Sequence, residues 1–219
     1  MTTLANRKVI CGNCGTKTNV TVVASTNSMG SPDLDTRPPQ MERSTMKYWV
    51  QRCPYCGYCG SDLSQTILID IVMESTYQNQ LNNTDFPRLG NSFICQSMIL
   101  ERLEKYNKAG WASLRAAWTC DDAKKIESAI LARKRAINLF LKASKENQTP
   151  MKQKGGFELM LAELYRRTKQ FDKGLKYLED NLSNRKLRKF QKIIQKLIKA
   201  ERELMKKKDD KCHQISEFM

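Results

Sequence analysis

The chain carries one histidine in 219 residues, His213, and that scarcity excludes a good deal. A Ser-His-Asp or Cys-His mechanism would have to use it, yet it sits beside Cys212 in a polar tail with no partner in the sequence for a triad or metal site. Long apolar runs are missing too. The longest are short, as in Ile67-Leu68-Ile69 and Ile193-Ile194, against the roughly 20 residues that span a bilayer. Met1 to Lys8 has no apolar stretch of the secretory kind. The expectation is a cytoplasmic protein with no membrane role. Acidic residues are in deficit, 23 against 38 Lys and Arg, for a net charge of +15. Such an excess eases association with polyanions, whether RNA, DNA or an acidic protein face. It is also uneven: Arg185 to Lys211 holds 12 basic and four acidic residues, +8 of the +15.

What is present begins with cysteine. Cys11-Gly12-Asn13-Cys14-Gly15 and Cys53-Pro54-Tyr55-Cys56-Gly57 are both Cys-x-x-Cys followed by Gly. A thiolate pair at that spacing grips one ion only if the chain reverses tightly, and the trailing Gly permits the positive φ of the reversal. Pro54 fixes the entry to the second turn. Four sulfurs, Cys11, Cys14, Cys53 and Cys56, are the tetrahedral set that a structural Zn²⁺ prefers. A thioredoxin-like dithiol would sit between a strand and a helix start, whereas Gly57-Tyr58 continues a knuckle. With no His or carboxylate in the set, the ion has no place for a catalytic water, which weighs against an enzyme. Cys59, Cys95, Cys120 and Cys212 are singletons, and Cys95 and Cys120 read as buried thiols that pack as small hydrophobes.

Around the knuckles the residues are strand-like. Lys8-Val9-Ile10 leads in, β-branched residues 16–24 return, and Lys47 to Arg52 reads as a strand entering the second knuckle. The spacer from Cys14 to Cys53 is 38 residues, longer than the roughly 15 to 20 of compact four-Cys sites, so a loop is inserted there. No helix runs through its prolines, Pro32, Pro38 and Pro39. Asp33, Asp35, Arg37 and Arg43 make it a candidate recognition loop, or else a structured insertion whose charges satisfy one another.

From Ser64 the period becomes helical. Ile67, Leu68, Ile71 and Val72 form one face, and residues 75–90 break up. A helix over 91–109 ends at Gly110. Trp111, Leu114, Ala117 and Trp118 fit a second, and Asp122 to Ser144 a third. Phe157 to Tyr165 and Phe171 to Leu182 form two more, and Leu187 to Leu204 a last. Phe157 to Leu182 looks like a tetratricopeptide repeat, with Leu161, Ala162 and Tyr165 on its first helix and Gly174 and Leu178 on its second. Trp111, Leu114 and Trp118 suit an earlier unit, except that Arg115 stands where a small residue is expected. Trp111, Trp118 and Tyr165 read as packing residues. Lys186, Lys189, Lys192, Lys196 and Lys199 line the polar face of the last helix, either as a solvated surface or as a polyanion contact.

Ser31 to Pro39, Arg43 to Met46, Tyr48-Trp49-Val50, Cys53 to Tyr58 and Leu161 to Arg167 together resemble a bacterial family of unknown function. The resemblance covers most of the chain. It implies zinc and a two-part architecture, and no activity. Cys59 departs from it, standing where a small residue is expected, which suggests an alternative ligand or a free thiol.

The sequence therefore predicts an α+β chain: a zinc-ribbon-like module over 1–64, a connecting helix and linker over 65–90, and an all-α tetratricopeptide-like domain over 91–219. The expected function is a non-catalytic zinc-binding adapter that meets a protein partner through its helices. The alternatives are a nucleic-acid-associated protein using the Lys-rich helix, and a redox sensor using Cys59.

Overall fold

A long antiparallel hairpin opens the chain. In the computed structural model, which describes residues 1–66, 69–148, 151, 153–182 and 190–219, β1 (Thr3–Ile10) pairs with β2 (Lys17–Ser25). The register runs from Thr3 opposite Ser25 to Ile10 opposite Lys17, which sets the first knuckle at the hairpin's turn. The two strands are mostly exposed, and Val20 is their one buried position. A second, far shorter pair, β3 (Gln51–Arg52) and β4 (Cys59–Gly60), flanks the second knuckle. The expected strand over 47–52 is thus reduced to its last two residues. Met46–Tyr48 winds into a 3-10 turn instead, because the Trp49 indole N–H donates to the Thr45 hydroxyl (2.8 Å) and Met46 is buried beneath it.

The helices are α1 (Gln40–Arg43), α2 (Ile69–Met73), α3 (Ser75–Leu81), α4 (Arg88–Arg102), α5 (Tyr106–Asp122), α6 (Ile126–Lys145), α7 (Gly156–Arg167), α8 (Phe171–Asn181) and α9 (Lys192–Lys206). Ile71 and Val72 are buried as their spacing predicts, while Ile67 and Leu68 lie outside the described residues. Helix α3 was expected to be broken chain. It forms because Tyr77 and Leu81, four apart, both reach the core. The chain is mixed, with strands at the N-terminus and a helical body after them.

Gly110 does not end a helix. The break falls at Leu103 to Lys105, and Gly110 lies inside α5, where a Cβ would stand 2.6 Å from the Phe140 ring. The glycine lets α6 approach α5; it is not a stop signal. The true stops use another device. Glu104, Lys124, Asn147, Lys169 and Lys208 all adopt a left-handed conformation, with φ between 53° and 59°. Each is followed by the same closing bond: Lys105 N–H to Leu100 O, Lys125 to Cys120, Gln148 to Ala143, Gln170 to Tyr165 and Asp209 to Leu204. These are Schellman turns built without glycine.

One apolar core runs from Cys11, Val50 and Cys53 through Tyr77 and Leu81 into α4, α5 and α6. A second gathers α7, α8 and α9 around Leu34. A third sets Met46 against α5, α6 and α7. The segment between the knuckles is therefore pinned to the helical body by its own apolar side chains.

Candidate metal centre

The same two backbone bonds close both knuckles. Gly15 N–H donates to Cys11 O (2.8 Å) and Cys11 N–H to Thr16 O (2.9 Å); Gly57 N–H donates to Cys53 O (3.1 Å) and Cys53 N–H to Tyr58 O (2.8 Å). Gly15 and Gly57 have φ of 72° and 78°, the reversal for which glycine is suited. Across the pairs, Cys11 Sγ lies 3.8 Å from Cys56 Sγ and Cys14 Sγ lies 3.8 Å from Cys53 Sγ. All four ligand atoms fall within 4.8 Å of one another. Disulfide sulfurs would be about 2.05 Å apart. An ion bonded tetrahedrally to sulfur at about 2.3 Å sets them about 3.8 Å apart. The four cysteines can hold a metal ion, and among the described residues no other His, Cys, Asp or Glu group has that geometry.

The surroundings treat the four thiols unequally. Cys11 and Cys53 are buried, with Cys14 and Cys56 nearer solvent. The Thr16 hydroxyl and backbone hold Cys14 down to about 6, whereas burial pushes Cys56 up to about 12. The Asn13 side-chain amide is buried with no nitrogen or oxygen partner. It faces Cys56, where it favours the thiolate. Asn13 is a supporting residue that the Cys-x-x-Cys pattern alone does not reveal. Gly12 is held from the other side, its N–H donating to Leu63 O (2.8 Å).

Cys59 is close to the four sulfurs in sequence but takes a separate place. It is buried, its thiol donates to Gly57 O (3.3 Å), and its N–H donates to the Tyr77 hydroxyl (3.1 Å), which in turn donates to Gly57 O (3.0 Å). Cys95 lies beside it, and its neighbour Cys59 and burial push its thiol well up. Cys120 is buried as well, and burial pushes it up to about 12.

The charged residues of the inserted loop turn inward. Arg43 donates to Asp33 (2.8 Å) and to Pro38 O (3.0 Å). Arg37 pairs with Asp122 (2.5 Å). Asp35 accepts from the Trp118 indole (2.8 Å) and from Arg133 (3.5 Å). Alternating charge then continues through Arg133, Asp121, Arg167, Glu163 and Arg166 to Glu201 on α9. Asp33 and Arg43 thus satisfy one another within the loop, whereas the partners of Asp35 and Arg37 stand on distant helices and are not legible in the sequence. His213 lies between Asp209 (3.2 Å) and Glu217 (2.7 Å), and its carbonyl accepts from Leu34 N–H (2.9 Å), so the tail closes over the loop. Lys192, Lys196 and Lys199 are exposed on α9, while Lys186 and Lys189 fall outside the described residues. Among the described residues no helix is long and apolar enough to cross a membrane.

The chain matches the model of a family described as "Uncharacterized protein conserved in bacteria (DUF2225)" over residues 4–205. No curated protein and no solved structure matches it.

Proposed function

The chain belongs to the DUF2225 family, and we propose that it is a non-catalytic, zinc-binding adapter that works in the cytoplasm and offers its helices to a protein partner. The observation that carries this reading is the sulfur geometry. Four thiolates at tetrahedral spacing complete the coordination of Zn²⁺ and leave no position for a reacting water. The ion would tie two hairpin ends together as in a zinc ribbon. What it stabilises is the apolar core shared with α3 to α6.

The helices support a tetratricopeptide-like reading. α5 and α6, and α7 and α8, are neighbours joined by three-residue turns, 123–125 and 168–170. Gly174 lets α8 approach α7: a Cβ there would lie 3.1 Å from Tyr165 Cβ. The exposed lysines of α9 favour nucleic acid as the second reading. A redox role for Cys59 has less in its favour, since its thiol is buried and bonded.

Metal analysis of the purified chain is expected to find one zinc per molecule. No zinc together with a reversible Cys53–Cys56 disulfide would overturn the reading. Capture of a partner from the native cell should survive nuclease treatment. Binding to RNA or DNA that falls steeply with salt, and is lost when Lys192, Lys196 and Lys199 become Glu, would move the conclusion to nucleic acid.

A further inference from the structure

A cleft of 380 Å³ opens between the inserted loop and α5, away from the four cysteines. Trp49, Trp111 and Trp118 line it, and these are all the tryptophans the chain has. Arg115 sits between the last two on α5, four residues after Trp111 and three before Trp118, so the three share one helical face. Pro38, Pro39 and Glu42 complete the loop side.

Arg115 is the unexplained group. Its guanidinium lies 5.2 Å from the centroid of the Trp49 ring. Its Nε is buried without a hydrogen-bond partner. The other arginines that bury an unbonded nitrogen, Arg37, Arg133 and Arg167, each face a carboxylate. Among the described residues Arg115 faces none within ion-pair distance, Glu42 included. Burial alone lowers its proton affinity, with no anion to restore it. A cation so placed is costly until an anion arrives. The walls are already set: the Trp118 indole is tied to Asp35, the Trp49 indole to Thr45, and Trp111 meets Phe140 edge-on at 5.4 Å.

We propose that this cleft binds a small oxyanion, a carboxylate or phosphate, carried on a flat ring, with the oxyanion on Arg115 and the ring among the indoles. The guanidinium fork matches an oxyanion in two bonds. The volume is at the small end of ligand pockets, about 300 to 1,000 Å³, which suits one ring and its anionic group. The proposal is independent of the adapter reading, because no thiolate lines the cleft.

Because every tryptophan lines the cleft, intrinsic fluorescence reports its occupancy without a label. The full chain, with its metal, is titrated with benzoate, phenyl phosphate and the neutral benzamide. At least one anion should give a saturable change, about tenfold or more tighter than benzamide. The stronger of the two anions identifies the oxyanion. Arg115→Gln should weaken the anion about tenfold or more and leave benzamide as it was. Glu42→Gln leaves the buried network untouched and should tighten anions by removing a negative charge from the rim. No saturable response to either anion, equal affinity for benzamide, or anion binding unchanged in Arg115→Gln would overturn the proposal. If Arg115→Gln does not fold, a failure of Glu42→Gln to tighten anions would do so instead.

Discussion

At the scale of single residues, the densest energetics lie around Arg166. Its guanidinium is fully buried, donates to Glu163 and to Glu201 (3.0 Å), and spends its remaining N–H groups on the carbonyls of Asp209 and Lys211 (2.7 and 2.8 Å). Two carboxyls around one cation cannot both ionise cheaply. Burial and the neighbouring Glu163 push Glu201 well above its ordinary 4.5. The sign follows. Above pH 4.5 the unfolded chain releases a proton that the folded chain keeps, so this group's stabilisation is complete below 4.5 and is lost as pH rises toward the folded value. Glu201→Gln can keep the bond from Arg166 and has no carboxyl to titrate. Urea midpoints should show the variant gaining on the parent protein as pH rises above 4.5, and a constant difference would contradict the raised proton affinity of Glu201. Arg166→Met strands Glu163 without its closest cation and should cost about 3 to 5 kcal/mol.

Helix ends and turns set the next scale. Five Schellman turns carry Glu, Lys, Asn, Lys and Lys at the left-handed position. There the Cβ of an ordinary residue costs about 1 kcal/mol or more, partly offset by the greater unfolded-state freedom of glycine. Lys124→Gly and Lys169→Gly should therefore each raise stability by about 0.5 to 1 kcal/mol, read as a higher urea midpoint at constant slope. The reverse substitution fails at the knuckle. At Gly57 a Cβ would add positive-φ strain and stand 2.5 Å from Leu81 Cδ2, so Gly57→Ala should destabilise the chain and weaken metal retention. These turns explain why the helix boundaries of the 91–122 region were misplaced. Periodicity marks which residues face inward, and Gly110 has the look of a stop. The chain stops instead at residues with no special composition, where the closing hydrogen bond and packing override a small local strain.

For the whole molecule, the question is whether the two cysteine knuckles and the helices stand or fall together. The core that begins at Cys11 and Cys53 continues without a break to Ala132 on α6, and Arg37 and Asp35 tie the inserted loop to α5 and α6. Metal removal should therefore reach the helices. Chelation is expected to lower the midpoint of the helical far-ultraviolet signal by about 10 °C or more, in one transition. A helical signal that melts at an unchanged temperature would show two independent units. Within this whole, the amino-acid sequence by itself determined the four cysteines, their turns and the apolar faces of most helices. Those rest on local spacing: two residues between sulfurs, a glycine for φ, a 3.6-residue period. Only the tertiary structure decided which charges meet. Asp35 finds Trp118 and Arg133, and Arg166 finds Glu201, across separations that no local pattern encodes. The same holds for Arg115. In the sequence it is an irregular residue in a degenerate repeat. In the fold it is a half-buried charge among three indoles, because two segments distant in the chain close around it and bring no carboxylate within ion-pair distance.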